Sequence, residues 1–252
     1  MEYTRLNRYG LLAVTGADAR AFLHAQLTND IEHLAPGRAA LAGWCSAKGR
    51  LLASFLVVPA GDGFLLQLSR DLVPAVQKRL SMFVLRSKVK VEDASGRLFQ
   101  FGVWGSPAET RVPLQAMEVK EDSEGTWVRL DGERALVISA APKLWEGRAK
   151  EVDEARWSHA EIRAGRPLIT AATQDLFVPQ MVNYEKLGGI DFKKGCYPGQ
   201  EIVARAQYRG EVKRRMVLLP APAGAQLQPG QEFNGGVVVD SAGGEVLAVV
   251  PV

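Results

Sequence analysis

The stretch FKKGCYPGQEIVARAQYRG at residues 192–210 decides how the rest of the chain is interpreted. Tyr197, Pro198 and Gly199 form a turn cluster, because proline and glycine disfavour the interior of a helix or a central strand. From Gln200 onward the spacing of apolar residues becomes helical, and Gly210 ends it. The pattern predicts a turn followed by a short helix.

The predicted helix has two different faces. One face carries charged and aromatic residues, namely Glu201, Arg205, Tyr208 and Arg209, whereas the other carries Ile202, Val203 and Ala206. This arrangement is typical of an amphipathic helix whose apolar face packs against a core. Glu201 and Arg205 stand four residues apart, so they can form an ordinary ion pair on its surface.

Cys196 lies just before the predicted helix N-terminus and directly after Lys193, Lys194 and Gly195. Nearby ammonium groups and the positive end of a helix both favour a thiolate over a thiol. We therefore treat Cys196 as a candidate functional thiol. The alternative is that Cys196 is a buried turn residue without a chemical role, and the sequence leaves both interpretations open.

Length and composition favour a soluble globular protein. The 252 residues suffice for one large domain or two to three small ones, with 47% hydrophobic and 23% charged residues. Lys and Arg exceed Asp and Glu by 31 − 28 = 3. This mildly basic balance permits an anionic ligand or RNA without requiring either.

The two cysteines, Cys45 and Cys196, are far apart, and no Cys-x-x-Cys or Cys/His ligand spacing occurs. The sequence thus predicts neither a metal site built from protein ligands alone nor a disulfide framework. Glu2 and Asp18 flank the first apolar run, which is unlike a signal peptide, and no run approaches the roughly 20 residues of a membrane span. We expect a cytoplasmic protein without membrane contact.

Hydrophobic periodicity predicts many short strands and a few helices. Strands are expected at residues 11–15, 39–45, 50–58, 64–68, 89–93, 98–104, 127–130, 134–139, 212–219, 232–239 and 245–250. Helices are expected from Asp18, after Ser69 as a cap, over 151–164 and from Gln200. A loop is expected over 107–125. Because the strand connections are mostly short, we predict an α+β fold with antiparallel sheets.

Residues 170–192 have little regular periodicity but many large apolar side chains. A long irregular segment inside a compact protein is typically functional or disordered, and its apolar content argues against disorder. We predict an ordered segment close to a functional site.

The sequence KGCYPGQE reproduces the signature K-G-C-aromatic-x-G-Q-E with Lys194, Gly195, Cys196, Tyr197, Gly199, Gln200 and Glu201. In this respect the chain resembles the YgfZ family of folate-binding proteins, relatives of the glycine-cleavage aminomethyltransferase. The resemblance extends from about Tyr9 to Met216 and includes WCSAKGR at 44–50 and PQMVN at 179–183.

The resemblance implies an aminomethyltransferase-like architecture. Residues 1–210 would form a folate-binding region of two interleaved α+β subdomains, the second roughly at 39–95. Residues 211–252 would form a small, reduced β-barrel. Tetrahydrofolate or a derivative would occupy a channel near Trp157, with Cys196 near its opening.

Three residues are expected to contact folate. Tyr9 and Trp157 align with aromatic positions associated with folate in the family, and an aromatic ring can stack on a pterin or benzoyl ring. Arg205 belongs to a basic set that could meet the glutamate tail, namely Arg205, Arg209, Lys213, Arg214 and Arg215. The alternative for this set is a solvated basic surface.

The chain also departs from the aminomethyltransferase pattern. Where that enzyme has paired aspartates in a strand, this sequence has Ala53 and Ser54, which supply no carboxylate for acid–base chemistry. Where a glutamate grips the pterin ring, this sequence has Arg163, so that Glu161 would have to substitute. These departures argue against a transferase.

The sequence thus favours a folate-binding accessory protein over an enzyme. By resemblance, it would support iron–sulfur enzymes, including radical enzymes that methylthiolate transfer RNA. Cys196 could carry a one-carbon unit, protect a sulfur species or transiently bind iron. The alternatives are a one-carbon transferase with Cys196 as nucleophile, and an RNA-binding module. The modest net charge disfavours direct nucleic-acid binding.

Overall fold

The computed structural model describes residues 1–105 and 111–252. Their contacts divide the chain into two compact units, each assembled from separate segments. Unit one comprises Met1–Phe22, Glu32–Ala40 and Leu56–Glu154. Unit two comprises Leu23–Ile31, Leu41–Phe55 and Ala155–Val252.

The described residues contain the following strands: β1 Glu2–Arg5, β2 Tyr9–Thr15, β3 Ala40–Cys45, β4 Leu51–Ala60, β5 Gly63–Ser69, β6 Lys90–Asp93, β7 Phe99–Trp104, β8 Val119–Asp122, β9 Gly125–Arg129, β10 Arg134–Ser139, β11 Lys150–Glu151, β12 Arg214–Pro220, β13 Glu232–Phe233, β14 Gly236–Ala242 and β15 Glu245–Pro251. The α-helices are α1 Ala19–Gln26, α2 Val73–Ser81, α3 Glu154–Arg163 and α4 Gln200–Tyr208, and short 3₁₀ helices cover Arg70–Leu72 and Pro179–Val182.

A six-stranded sheet in the order β11-β1-β7-β10-β9-β8 lies in unit one. Its pairings are antiparallel except for the short β1–β11 pair. Tyr3, Phe101, Trp127 and Trp145 form the aromatic part of its core. The rings of Trp127 and Trp145 meet edge to face with centroids 5.7 Å apart, a favourable arrangement for aromatic pairs.

A second sheet has the strand order β3-β4-β5-β2-β6, and the division between the units falls within β4. Residues 51–58 of β4 are all buried, which explains their continuous apolar run instead of an alternating one. In unit one, α2 packs beside β2 and β6 and buries Val73, Val76 and Leu80. These are residues at the three- and four-residue spacing of an apolar helical stripe.

The C-terminal sheet in unit two has the order β12-β15-β14-β13 and curls into a half-barrel. A register shift between Val238 and Asp240 marks a bulge in β14, and bulges increase local twist and bending. Val238, Val246 and Ala248 form its buried core. The prediction of an α+β fold with antiparallel sheets and a small C-terminal barrel-like element is confirmed.

The structure differs from the prediction at two places, a predicted loop and a predicted strand. Strand β8 lies inside the predicted loop at 107–125, of which residues 107–110 are outside the described part of the chain. Only Val119 of β8 is buried, so this edge strand carries no alternating pattern to detect. The predicted single strand at 232–239 is a hairpin, β13–β14, because Asn234 and Gly235 both adopt positive φ. Asn-Gly is a strong turn signal.

One predicted helix start is wrong, and one predicted cap lacks its capping hydrogen bond. Helix α3 begins at Glu154, because Lys150 and Glu151 instead pair with β1 as strand β11. Ser69 occupies the N-cap of the 3₁₀ helix that precedes α2, but its hydroxyl donates to the Asp71 carboxylate at 2.7 Å and makes no capping hydrogen bond.

The segment at residues 170–192 is irregular but tied down by side-chain hydrogen bonds. The amide of Gln180 donates to the Val203 carbonyl at 2.7 Å, and the amide of Asn183 donates to the Met216 carbonyl at 2.7 Å. Asn183 adopts a left-handed backbone conformation that ends the 3₁₀ helix. The prediction of order in this segment is confirmed. No helix in the described ranges is long and apolar enough to cross a membrane.

Arg215 on β12 joins this segment from the other side. Its guanidinium donates to the Gln180 carbonyl at 3.0 Å and to the Asn183 side-chain oxygen at 3.2 Å, and it contacts the Glu185 carboxylate. The Arg215 and Glu185 side chains are only 26% and 11% exposed. Removing one partner of such a pair leaves buried polar groups unsatisfied.

We predict that Arg215→Gln lowers the free energy of unfolding by about 1–3 kcal/mol. The matched control is Arg205→Gln, which breaks the Glu201 pair between side chains that are 63% and 84% exposed. That change should cost less than about 0.5 kcal/mol, because solvent screens exposed pairs. Urea unfolding of both variants measures the difference. Equal losses of unfolding free energy would show that the partly buried contacts of Arg215 contribute no more stability than the exposed pair of Arg205.

Candidate functional site

The signature motif forms a loop that leads into α4, as the sequence predicted. Tyr197 is buried, whereas Gly195 and Cys196 are exposed. Gly199 occupies the N-cap of α4 with φ +78°, a conformation that glycine adopts without strain. Helix α4 then begins at Gln200 and buries Val203.

The two glycine-containing motifs meet in unit two. A Cβ atom on Gly199 would lie 2.4 Å from the carbonyl oxygen of Ser46 and 2.6 Å from the Cα of Gly49. A Cβ atom on Gly49 would lie 2.7 Å from the Cβ of Ile202. The turn between β3 and β4 and the start of α4 therefore approach each other closely, and only glycine fits at both positions.

Lys194 holds the loop against the end of α1. Its ammonium group is buried and donates to the Leu27 carbonyl at 2.7 Å and to the His24 carbonyl. These carbonyls belong to the C-terminal end of α1, where backbone acceptors lack helical partners and a cation is favoured. The same ammonium group lies 4.9 Å from the centroid of the Tyr197 ring.

Burial lowers the pKa of Lys194 to about 8, against the opposing influence of Asp30, Asp191 and Cys196. Because this value is above 7, the ammonium form still predominates at neutral pH. The Asp191 carboxylate also accepts hydrogen bonds from the backbone amides of Lys193 and Lys194, at 2.6 and 3.1 Å. Asp191 was not among the predicted site residues, although an aspartate two residues before a turn is a known local signal.

The two cysteines have opposite environments. Cys196 is exposed, which excludes the interpretation as a buried turn residue. Cys45 is buried on β3, and burial raises its pKa to about 12. Of the two thiols, Cys196 is therefore the one that a reagent or partner can reach in the folded chain.

The outer face of α4 is exposed as predicted. Glu201 and Arg205 form their ion pair at 3.2 Å. Tyr208 is 69% exposed, and its ring meets Phe192 edge to face with centroids 6.0 Å apart. Together with Ala204 and Arg209, these helix residues line a shallow groove of about 220 Å³.

Ala53 and Ser54 lie on β4, where the sequence places them, and both are buried. The Ser54 hydroxyl donates to the Pro167 carbonyl at 3.2 Å and accepts from the Ile169 amide at 3.0 Å. This hydroxyl is therefore committed to joining β4 to the segment after α3.

Helix α3 carries the three residues that the sequence connected with the pterin ring. Trp157 is buried, with 2% of its surface exposed. The Glu161 carboxylate pairs with Arg166 at 3.1 Å, and Arg163 lies 3.7 Å from Glu245. His159 contacts the same Glu245 carboxylate at 2.7 Å, which ties α3 to the C-terminal sheet.

Tyr9 lies on β2 in unit one and is buried at the wall of a polar cavity of about 250 Å³. The guanidinium of Arg8 lies 5.8 Å from its ring centroid.

The predicted basic set does not behave as one surface. Arg205 is paired with Glu201 on the exposed face of α4, and Arg215 is partly buried in its pair with Glu185. Arg209, Lys213 and Arg214 are exposed. Across residues 1–105 and 111–252, no group of three or more His, Cys, Asp or Glu side chains is arranged to hold a metal ion.

We predict that Gly199→Ala destabilises the fold more than Gly188→Ala. Both glycines have positive φ, but a Cβ atom on Gly188 would meet open space. Gly188→Ala should cost about 1–2 kcal/mol from the left-handed conformation alone. Gly199→Ala should cost about 1–3 kcal/mol more, because the Ser46 and Gly49 backbone atoms must move. Urea unfolding tests this, and equal losses would contradict the close approach.

We further predict that iodoacetamide alkylates Cys196 at least about 100-fold faster than Cys45 in the native protein at pH 8, because Cys45 is buried and ionises only near pH 12. Peptide mass mapping over time gives both rates. In denaturant the two rates should converge. Comparable native rates would refute the exposure difference between the two thiols.

Comparison of the sequence with known proteins assigns the chain to a family. The model of the GCVT N-terminal domain matches residues 5–126. The chain is 32% identical to the tRNA-modifying protein YgfZ of Escherichia coli K12 and to that of Shigella flexneri, over 91% of this chain and 74% of each relative.

A solved structure gives the corresponding fold. The glycine cleavage system aminomethyltransferase T from Bartonella henselae superposes with a TM-score of 0.70 at 18% identity, covering 99% of this chain and 78% of that one. At this identity the likeness concerns the fold alone. The 32% sequence identity over 91% of the chain shows family membership in addition to a shared fold. The chain belongs to the YgfZ family.

Proposed function

We propose that this protein is a cytoplasmic, tetrahydrofolate-binding accessory factor for transfer RNA modification. It would support iron–sulfur enzymes such as radical tRNA methylthiotransferases. The relatives named tRNA-modifying protein YgfZ support the tRNA-modification role. Folate, the iron–sulfur partners and the compartment follow from the family resemblance and are part of the proposal.

The observation that carries the proposal is the presentation of Cys196. Its loop is fixed on one side by the Lys194 ammonium group and on the other by the contact of Gly199 with the Ser46 turn. Cys196 itself stays exposed between these anchors. An exposed thiol on a firmly held loop is suited to a partner that must reach sulfur in a fixed position.

Two lysines and the start of α4 lie close to Cys196 in the chain. The exposed Lys193 and the buried Lys194 are adjacent in the chain, and α4 begins four residues later at Gln200. A thiolate is a soft ligand for iron and a nucleophile toward sulfur or carbon electrophiles. We propose that the loop presents the Cys196 thiol to the cluster or sulfur species of a partner enzyme.

Of the residues expected to contact folate, some are accessible in the structure and others are buried or already paired. Tyr9 lines a cavity, which suits a residue that contacts a ligand. Trp157 exposes only 2% of its surface, so a pterin or benzoyl ring could stack on it only after local movement. The Glu161 carboxylate is paired with Arg166 and would have to leave that pair to grip a pterin. When bound, tetrahydrofolate would supply one-carbon chemistry, and we assign no step to it.

The arrangement at β4 speaks against the alternative of a one-carbon transferase. The Ser54 hydroxyl is committed to Pro167 and Ile169, and Ala53 offers no polar group. Neither residue can serve as the acid or base that aminomethyl transfer requires. We therefore place the chemistry at Cys196 and assign β4 a structural role.

The testing experiment measures two properties on one panel of variants. Calorimetry on the purified protein gives tetrahydrofolate affinity, and mass spectrometry gives methylthiolated tRNA nucleosides in a bacterial strain lacking its own family member. We predict that Cys196→Ser keeps the affinity within about twofold and fails to restore the modification. Trp157→Ala should weaken the affinity by roughly tenfold, about 1.4 kcal/mol.

Cys45→Ala is the matched control and should retain both properties, since that thiol is buried. Trp157→Phe keeps an aromatic ring and separates lost stacking from lost packing. A folded Cys196→Ser protein that restores the modification fully would overturn the thiol role. Absence of tetrahydrofolate binding by the unmodified chain would overturn the folate role. Formation of methylene-tetrahydrofolate from an aminomethylated carrier protein would favour the transferase instead.

A further inference from the structure

The polar cavity beside Tyr9 lies within unit one. Its volume is about 250 Å³, slightly below the usual range of small-molecule pockets, which is about 300–1,000 Å³. Two arginines, Arg5 and Arg70, lie on its wall beside the apolar side chains of Leu98 and Phe99. Neither the signature motif nor the proposed role of Cys196 accounts for it.

The fold constrains the Arg5 guanidinium and the Arg70 backbone, and both arginines are exposed at the cavity. The guanidinium of Arg5 lies 4.7 Å from the centroid of the Phe99 ring, a cation–π contact. The backbone amide of Arg70 donates to the Arg8 carbonyl at 2.9 Å, which fixes Arg70 beside the β1–β2 connection. In the part of the chain that the structure describes, neither guanidinium forms an ion pair with a carboxylate.

The remaining polar wall adds hydrogen-bond donors. Gln100 is 5% exposed, and its side-chain oxygen accepts a hydrogen bond from the Gln67 amide at 2.7 Å. Its own NH₂ group is therefore the part that stays available to donate. No aspartate or glutamate is among the lining residues. The lining residues therefore supply two cations and an amide donor, and no carboxylate.

We propose that this cavity binds a small molecule through a phosphate or carboxylate group. Two guanidinium forks match the planar or tetrahedral oxygens of such a group and can donate in pairs. The cavity is larger than one anion needs, and Leu98 and Phe99 provide apolar surface for the organic part of the ligand. The proposal does not depend on folate binding, although a folate tail is one source of carboxylates.

The experiment uses the full chain labelled with ¹⁵N and follows backbone amide shifts of Asn7 and Ser95, two lining residues. The probes are inorganic phosphate, phenyl phosphate and p-aminobenzoylglutamate, titrated at constant ionic strength. We expect saturable shifts with phenyl phosphate or p-aminobenzoylglutamate. The tighter probe distinguishes a phosphate-bearing ligand from a carboxylate-bearing one, and inorganic phosphate should bind more weakly than phenyl phosphate.

Arg70→Gln and Arg5→Gln should each raise the dissociation constant of the tighter probe by about tenfold or more, the usual effect of losing a charge-assisted contact. Arg86→Gln is the control, because Arg86 is exposed in the same unit and does not line the cavity. It should leave the constant unchanged. The amide spectrum itself verifies that each variant folds.

Two results would overturn the proposal. One is the absence of saturable shifts at Asn7 and Ser95 with all three probes. The other is an equal effect of Arg70→Gln and Arg86→Gln, which would indicate attraction to net charge alone. Failure of tetrahydrofolate to bind would leave the proposal standing if phenyl phosphate binds in the predicted way.

Discussion

The loop that carries Cys196 depends on one buried cation, the ammonium group of Lys194. It donates to the His24 and Leu27 carbonyls at the end of α1 and lies over the Tyr197 ring. Burying an ammonium group is costly unless acceptors surround it, and this one is placed where a helix leaves acceptors unsatisfied. Lys194 thereby supplies hydrogen bonds to the backbone carbonyls at the end of α1. It also positions Cys196, two residues later, at the surface.

The position of the loop also depends on two glycines, whose lack of a side chain allows a close backbone contact. Gly199 and Gly49 allow the turn after β3 to lie against the start of α4 at distances that no Cβ atom tolerates. The signature motif at residues 194–201 and the WCSAKGR stretch at residues 44–50 are thus packed directly against each other. Between the lysine anchor and the glycine contact, the loop has little freedom, so its exposed thiol occupies a defined position.

The rest of the site illustrates how similar residues acquire different roles. Arg205 and Arg215 are both arginines within ten residues of chain, each paired with a glutamate. The first pair is exposed and contributes little stability. The second is partly buried and also binds Gln180 and Asn183, so it joins β12 to the irregular segment. Likewise the buried Ser54 hydroxyl connects β4 to the chain after α3.

The sequence by itself determined the fold class, most of the strands and helices in their order, the turn before α4 and the exposed stripe on that helix. These features rest on local patterns: apolar spacing, glycine and proline at turns, and a motif of eight consecutive residues. It could not reveal the edge strand β8 or the start of α3, since neither has an apolar pattern of its own. Only the tertiary structure decided which carbonyls receive Lys194, because its partners lie 167 and 170 positions away. The same holds for the burial of Trp157 and the pairing of Arg215, which depend on what distant segments bring alongside them.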